Sequence, residues 1–82
     1  MKITVSHNGD SERLKINLDD FVWSLDKNLR RRRLGMARGD IKKTECVVHV
    51  VSVDSGFVKD LTDCFVKAMR KNGEQLSVSL SS

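Results

Sequence analysis

The stretch Arg13-Leu14-Lys15-Ile16-Asn17-Leu18, running on through Asp19-Asp20-Phe21-Val22-Trp23-Ser24-Leu25-Asp26-Lys27-Asn28-Leu29 to Arg30-Arg31-Arg32-Arg33-Leu34-Gly35, decides how this chain divides into elements. Leu14, Ile16 and Leu18 alternate with Arg13, Lys15 and Asn17, the period of a half-buried strand. Upstream, Ile3 and Val5 alternate with Lys2, Thr4 and Ser6, and Asn8-Gly9-Asp10 supplies turn residues between the two runs. The pattern predicts an antiparallel hairpin. From Asp19 or Asp20, both competent N-caps, Phe21, Val22, Leu25 and Leu29 recur at helical spacing, which predicts a helix to about Leu34 with Gly35 as its stop.

Downstream, residues 35–44, GMARGDIKKT, carry two glycines and no clear period and read as a long mobile loop. Cys46 to Val53 reads as a β-branched strand that is apolar on both faces. Asp54 or Ser55 can cap a second helix with the stripe Phe57, Leu61, Cys64, Phe65, Ala68 and Met69, closed by Asn72-Gly73. Leu76, Val78 and Leu80 then alternate with serines in a final half-buried strand. The predicted order is ββαβαβ, an α+β two-layer sandwich in which a four-stranded mixed sheet carries two helices on one face. At 82 residues the chain has room for one domain, 1–82. The doubly apolar strand 46–53 is either central and shielded by its neighbours or part of a homodimer interface.

The charge is segregated. Between Lys27 and Lys43 stand eight cations (Lys27, Arg30, Arg31, Arg32, Arg33, Arg38, Lys42, Lys43) against one acid, Asp40, so this segment carries +7, the rest carries −3, and the chain +4. Cations at a helix C-terminus are favoured by the macrodipole by about 0.3–1 kcal/mol each, which accounts for two of them. Four consecutive arginines advance about 100° each, wrap the helix and repel one another. That is a poor cap and a reasonable way to meet phosphates or carboxylates, whose oxygens match the guanidinium fork.

The leading expectation is a small non-enzymatic binding protein that grips a DNA or RNA backbone with this basic helix end and loop. Trp23, Met36 and Ile41 are apolar neighbours suited to stacking or anchoring. The alternative is a small effector or inhibitor of the phage or plasmid type that docks on an acidic surface of a larger host protein machine. The sheet residues exposed in this reading include no aromatic, which argues against a base-stacking platform.

Other chemistry is weakly signalled. Cys46 and His49 stand three apart on a strand and face opposite ways, so they do not form a metal clamp. His7 and His49 would do acid-base work only if their strands were neighbours. No P-loop, dinucleotide fingerprint or nucleophile with an adjacent base is present, and no cofactor, metal or enzymatic activity is expected. No window has the length and apolarity of a membrane span, and the N-terminal alternation lacks the apolar core of a signal peptide. Cys46 and Cys64 in apolar runs read as small buried hydrophobes in a reducing, cytoplasmic setting.

Overall fold

A computed structural model describes residues 1–81. The element order is β1 (Lys2–His7), α1 (Glu12–Arg31), β2 (Gly35–Ile41), β3 (Glu45–Ser52), α2 (Ser55–Lys71) and β4 (Leu76–Ser81). The order is thus βαββαβ, not the ββαβαβ read from the sequence. The difference arises between Arg13 and Leu29. Leu14, Leu18, Phe21, Leu25 and Leu29 form one continuous helical stripe, and all five are buried on α1. Ile16, which a strand would turn to the same side as Leu14 and Leu18, is 62% exposed. Alternation over three residues fits either element; only the helical period extends to Leu29. The cap lies further upstream, where Ser11 Oγ accepts the Leu14 amide at 3.0 Å.

The helix also stops earlier than Gly35. Arg32 is the cap residue and Arg33 takes the left-handed conformation at φ 57°. The Leu34 amide donates to the Leu29 carbonyl at 2.9 Å and the Arg33 amide to that of Arg30 at 3.1 Å, the paired bonds of a Schellman ending with arginine where glycine is usual. Gly35 serves the next element instead. A Cβ there would lie 1.8 Å from the Val51 carbonyl oxygen, so only glycine lets β2 start against β3.

Residues 35–41, expected in a mobile loop, form this edge strand. Its inward positions are Gly35, Ala37, Gly39 and Ile41, too small and glycine-rich to show as a strand pattern. The reason is helix packing: a Cβ on Gly39 would meet both methyl groups of Val22 at 2.8 Å, so glycine lets α1 press onto β2.

The strand order is β2-β3-β1-β4, and each neighbouring pair is antiparallel, which corrects the expected mixed sheet. Parallel relations remain only between non-neighbours, β1 with β2 and β3 with β4, each pair separated by one inserted strand. This is the split β-α-β, or ferredoxin-like, topology, which unrelated functions share. Strand 46–53 is β3 in essence, an inner strand with partners on both sides, and its edges are used.

One core joins Ile3 and Val5 of β1, Cys46, Val48 and Val50 of β3, Ala37, Leu76 and the buried faces of both helices. Phe21 and Phe65 stack at 4.5 Å between the helices. The buried face of α2 is Val58, Thr62, Val66 and Met69, so Cys64 and Ala68, expected inside, are exposed. Thr62 is accommodated because its hydroxyl donates to the Val58 carbonyl at 2.8 Å. Asp54 caps α2 as expected, accepting the Phe57 amide at 3.0 Å. No helix among the described residues is long and apolar enough to cross a membrane.

Candidate functional site

The early end of α1 and the strand after it divide the basic segment in two. Lys27, Arg30, Arg31, Arg32 and Arg33 cluster on the last turns of α1, all exposed. Lys42 and Lys43 lie beyond Ile41, at the far end of β2, about 20 Å of strand away. There Lys42 approaches Glu45 at 4.0 Å, and the chain adjoins the β1–α1 turn, with the His7 amide bonded to the Thr44 carbonyl. Ile41 goes with them: its side chain packs against the core, half-buried, and is not displayed as an anchor.

Within the helix-end cluster the arginines differ in their commitments. Arg30 Nε donates to both carboxylate oxygens of Asp26 at 2.9 and 3.0 Å. Asp26 Oδ1 also accepts the Ala37 amide of β2 at 2.9 Å. That amide first of all holds the Asp26 carboxyl below the usual carboxylate range; burial opposes it, and the Arg30 guanidinium adds to the lowering. Arg32 lies over the Phe57 ring at 4.9 Å, and Lys27 over Trp23 at 4.7 Å. Among the described residues, neither Arg31 nor Arg33 has an acidic partner. These two are the uncommitted cations.

The Arg32–Phe57 contact brings the first turn of α2 beside the end of α1. That turn carries no acid beyond the capping Asp54, so the positive end of its dipole faces the same region as the arginines. The Leu34 carbonyl further ties this end together by accepting the Val53 amide at 2.9 Å.

On the outer side of the sheet, Arg38 stands opposite His49 and His49 opposite Lys2, a basic row across three strands. Next to it Met36 stands opposite Val51, and Met36, Val51 and Val53 are 49%, 71% and 85% exposed. Asp26, Arg30, Met36, Arg38, His49 and Val51 line a shallow groove of about 440 Å³. Arg38 and Met36 belong to the basic segment singled out from the sequence, whereas Lys2, His49, Val51 and Val53 do not, since only the cross-strand register brings Lys2, His49 and Val51 beside them. Trp23 is 65% exposed and borders a second groove with Asp19, Asp20 and Arg38 on the α1 side of the β2 edge.

The two histidines do not meet. His49 points outward near one end of the sheet, whereas His7, at the other end of β1, shares the inward parity of Ile3 and Val5 and accepts the Gly9 amide on Nδ1. Cys46 is buried and His49 exposed, so that pair is divided between the faces as its spacing requires. Burial, helped by Asp40 and Asp19, pushes the Cys46 thiol up to about 11, too high for a thiolate nucleophile at neutral pH. Among the described residues no group of three metal-ligating side chains comes together.

The chain is thus α+β, of split β-α-β topology, with one basic end and, beside it, a mixed basic and apolar sheet face. Compared with models of known protein families and with curated proteins, the sequence matches none.

Proposed function

We propose that the chain is a non-enzymatic binding protein whose α1 terminus grips a polyanion, with the phosphate backbone of DNA or RNA as the leading ligand. The observation that carries this is the arginine run at the end of α1, in which Arg31 and Arg33 have no acidic partner and Arg33 holds a left-handed position that glycine would occupy with less strain. Stability alone does not select that residue. Arg32 and the first turn of α2 supply further positive potential at the same end, and Lys27 lies one turn back. In a two-layer arrangement with both helices on one side, the outer row Arg38, His49 and Lys2 extends this potential onto the open face.

Backbone contact of this kind releases counterions, so binding weakens steeply with salt, by about 0.9 in the log–log slope per phosphate neutralised on B-form DNA. Titration of labelled duplex DNA and RNA across a salt series tests it, and a flat salt response or no binding at low salt rejects it. Cytoplasmic action fits this reading.

A second reading, a small effector docking on an acidic protein surface, is favoured by one observation: Met36, Val51 and Val53 form an exposed apolar patch beside the arginines, which a phosphate backbone does not require. A pull-down with nuclease treatment separates the two. A defined protein partner retained after nuclease supports docking, and partners lost with the nucleic acid support backbone binding.

A further inference from the structure

We propose that two copies of this chain pair through their β4 edges, antiparallel about a two-fold axis at Val78, into one continuous eight-stranded sheet.

The bonding parity of the sheet determines what the β4 edge offers. Met1 and Val50 exchange backbone bonds, N to O at 2.9 and 2.8 Å, and the His7 amide bonds the Thr44 carbonyl, so odd-numbered residues of β1 turn their backbone groups to β3. Lys2, Thr4 and Ser6 therefore turn theirs to β4, where their register partners are Ser81, Ser79 and Ser77. The amides and carbonyls of Leu76, Val78 and Leu80 are left pointing outward. The 3.1 Å bond from Arg70 Nη2 to the Leu76 carbonyl agrees with this.

The two edges of the sheet are managed differently. At β2 the outward Ala37 amide is taken by Asp26, and Arg38 and Asp40 put charge on the strand. On β4, LSVSLS, there is no charge, no proline and no bulge, and among the described residues no side chain bonds the outward groups of Val78 or Leu80. An edge of this kind is a template for another strand unless it is blunted.

The sequence of the edge selects the partner. Leu76-Ser77-Val78-Ser79-Leu80 is a palindrome about Val78. Antiparallel pairing of two copies sets Val78 against Val78, Leu76 against Leu80 and Ser77 against Ser79, so like faces meet along the whole overlap. The Val78 amide and carbonyl of one copy then face those of the other as a hydrogen-bonded pair, and Leu80 faces Leu76, whose carbonyl must share itself between the Arg70 guanidinium and the Leu80 amide of the other copy. The groove between α2 and β4 has an apolar floor of Val66, Val78 and Leu80, with Asp63, Lys67 and Arg70 at its rim. The two-fold axis reverses α2, so the acid of one copy comes toward the cations of the other. Leu80, 39% exposed in the single chain, gains cover. This inference does not rest on the proposed polyanion binding, because the assembly is measured without nucleic acid.

Sedimentation equilibrium and amide hydrogen exchange over a concentration series test it. The expected result is a species of twice the 9.3 kDa chain mass at high micromolar concentration, with the Val78 and Leu80 amides protected there and exchanging freely on dilution. Val78→Pro removes an outward amide that the single chain does not use, so it should abolish the dimer, with the loss of melting temperature limited to that from the Val78 side chain's partial packing on the core. Leu80→Lys, at a half-exposed site, should do the same by placing charge at the junction. A monomer at every concentration, a dimer that survives both substitutions while they remain folded, or a dimer with unprotected Val78 and Leu80 amides overturns the proposal.

Discussion

Arg33 holds a left-handed conformation within the arginine run proposed to meet a polyanion, so stability and the proposed binding favour different residues at this position. A left-handed residue bearing a Cβ costs roughly 1–2 kcal/mol. Glycine gives back about 0.5–1 kcal/mol of that through its freer unfolded chain. Arg33→Gly should therefore raise stability by about 0.5 kcal/mol in denaturant titration while weakening polyanion binding, whereas a less stable variant would show that the arginine is held by contacts of its own. Asp26 is the other residue with two tasks, since its carboxylate bonds Arg30 within α1 and the Ala37 amide across to β2. Its pKa is lowered by folding, so it stabilises the fold above the ordinary carboxylate value, and that contribution is lost as pH falls through the lowered one. Asp26→Asn should thus be less stable than the parent at neutral pH, and the gap should close in acid below about pH 3.9. Melting curves on both proteins across pH check this, and a gap that does not change with pH would contradict it. Neither role is visible in the sequence, where Asp26 is one acid among several near Arg30 and Arg33 follows three identical residues.

At the scale of elements, strong long-range periods were legible and short ones misled. The second helix, the last strand and strand 46–53 follow from their own patterns, and Asp54 is the expected cap. The first helix was legible only from Phe21 onward, because Leu14, Ile16 and Leu18 satisfy a strand as well as a helix and Asn8-Gly9-Asp10 suggests a hairpin turn. The core decides between them by burying Leu14 and Leu18 and leaving Ile16 outside. Leu18→Ala should cost about 2–5 kcal/mol and Ile16→Glu no more than about 0.5 kcal/mol, measured by chemical denaturation. Comparable losses at both positions would favour a strand over residues 13–18. The strand 35–41 was illegible for a different reason. Its inward positions are Gly35 and Gly39 because a carbonyl of β3 and the methyls of Val22 occupy the space a side chain would fill, so tertiary packing removed the alternation that marks a strand. A glycine pair that reads as mobility is here the mark of close packing.

At the scale of the whole molecule, the contiguous basic segment of the sequence is not a contiguous surface. The fold sends Lys42 and Lys43 to one end and gathers Lys27 and Arg30 to Arg33 at the other, where Arg38 is joined on the outer face by Lys2 and His49, which no local pattern connects to it. A charge count along the chain therefore groups cations that the fold places at opposite ends of β2. In the proposed function the α1 terminus, and not the segment as a whole, meets the polyanion. The most direct measurement compares the salt dependence of duplex binding for the parent, Arg31→Ala/Arg33→Ala and Lys42→Ala/Lys43→Ala. With each arginine side chain neutralising one phosphate, loss of the arginine pair should lower the log–log slope by about 1.8 and weaken binding at low salt, while loss of the lysine pair should leave the slope within about 0.5 of the parent. Equal effects of the two pairs, or a larger effect of the lysines, would contradict it.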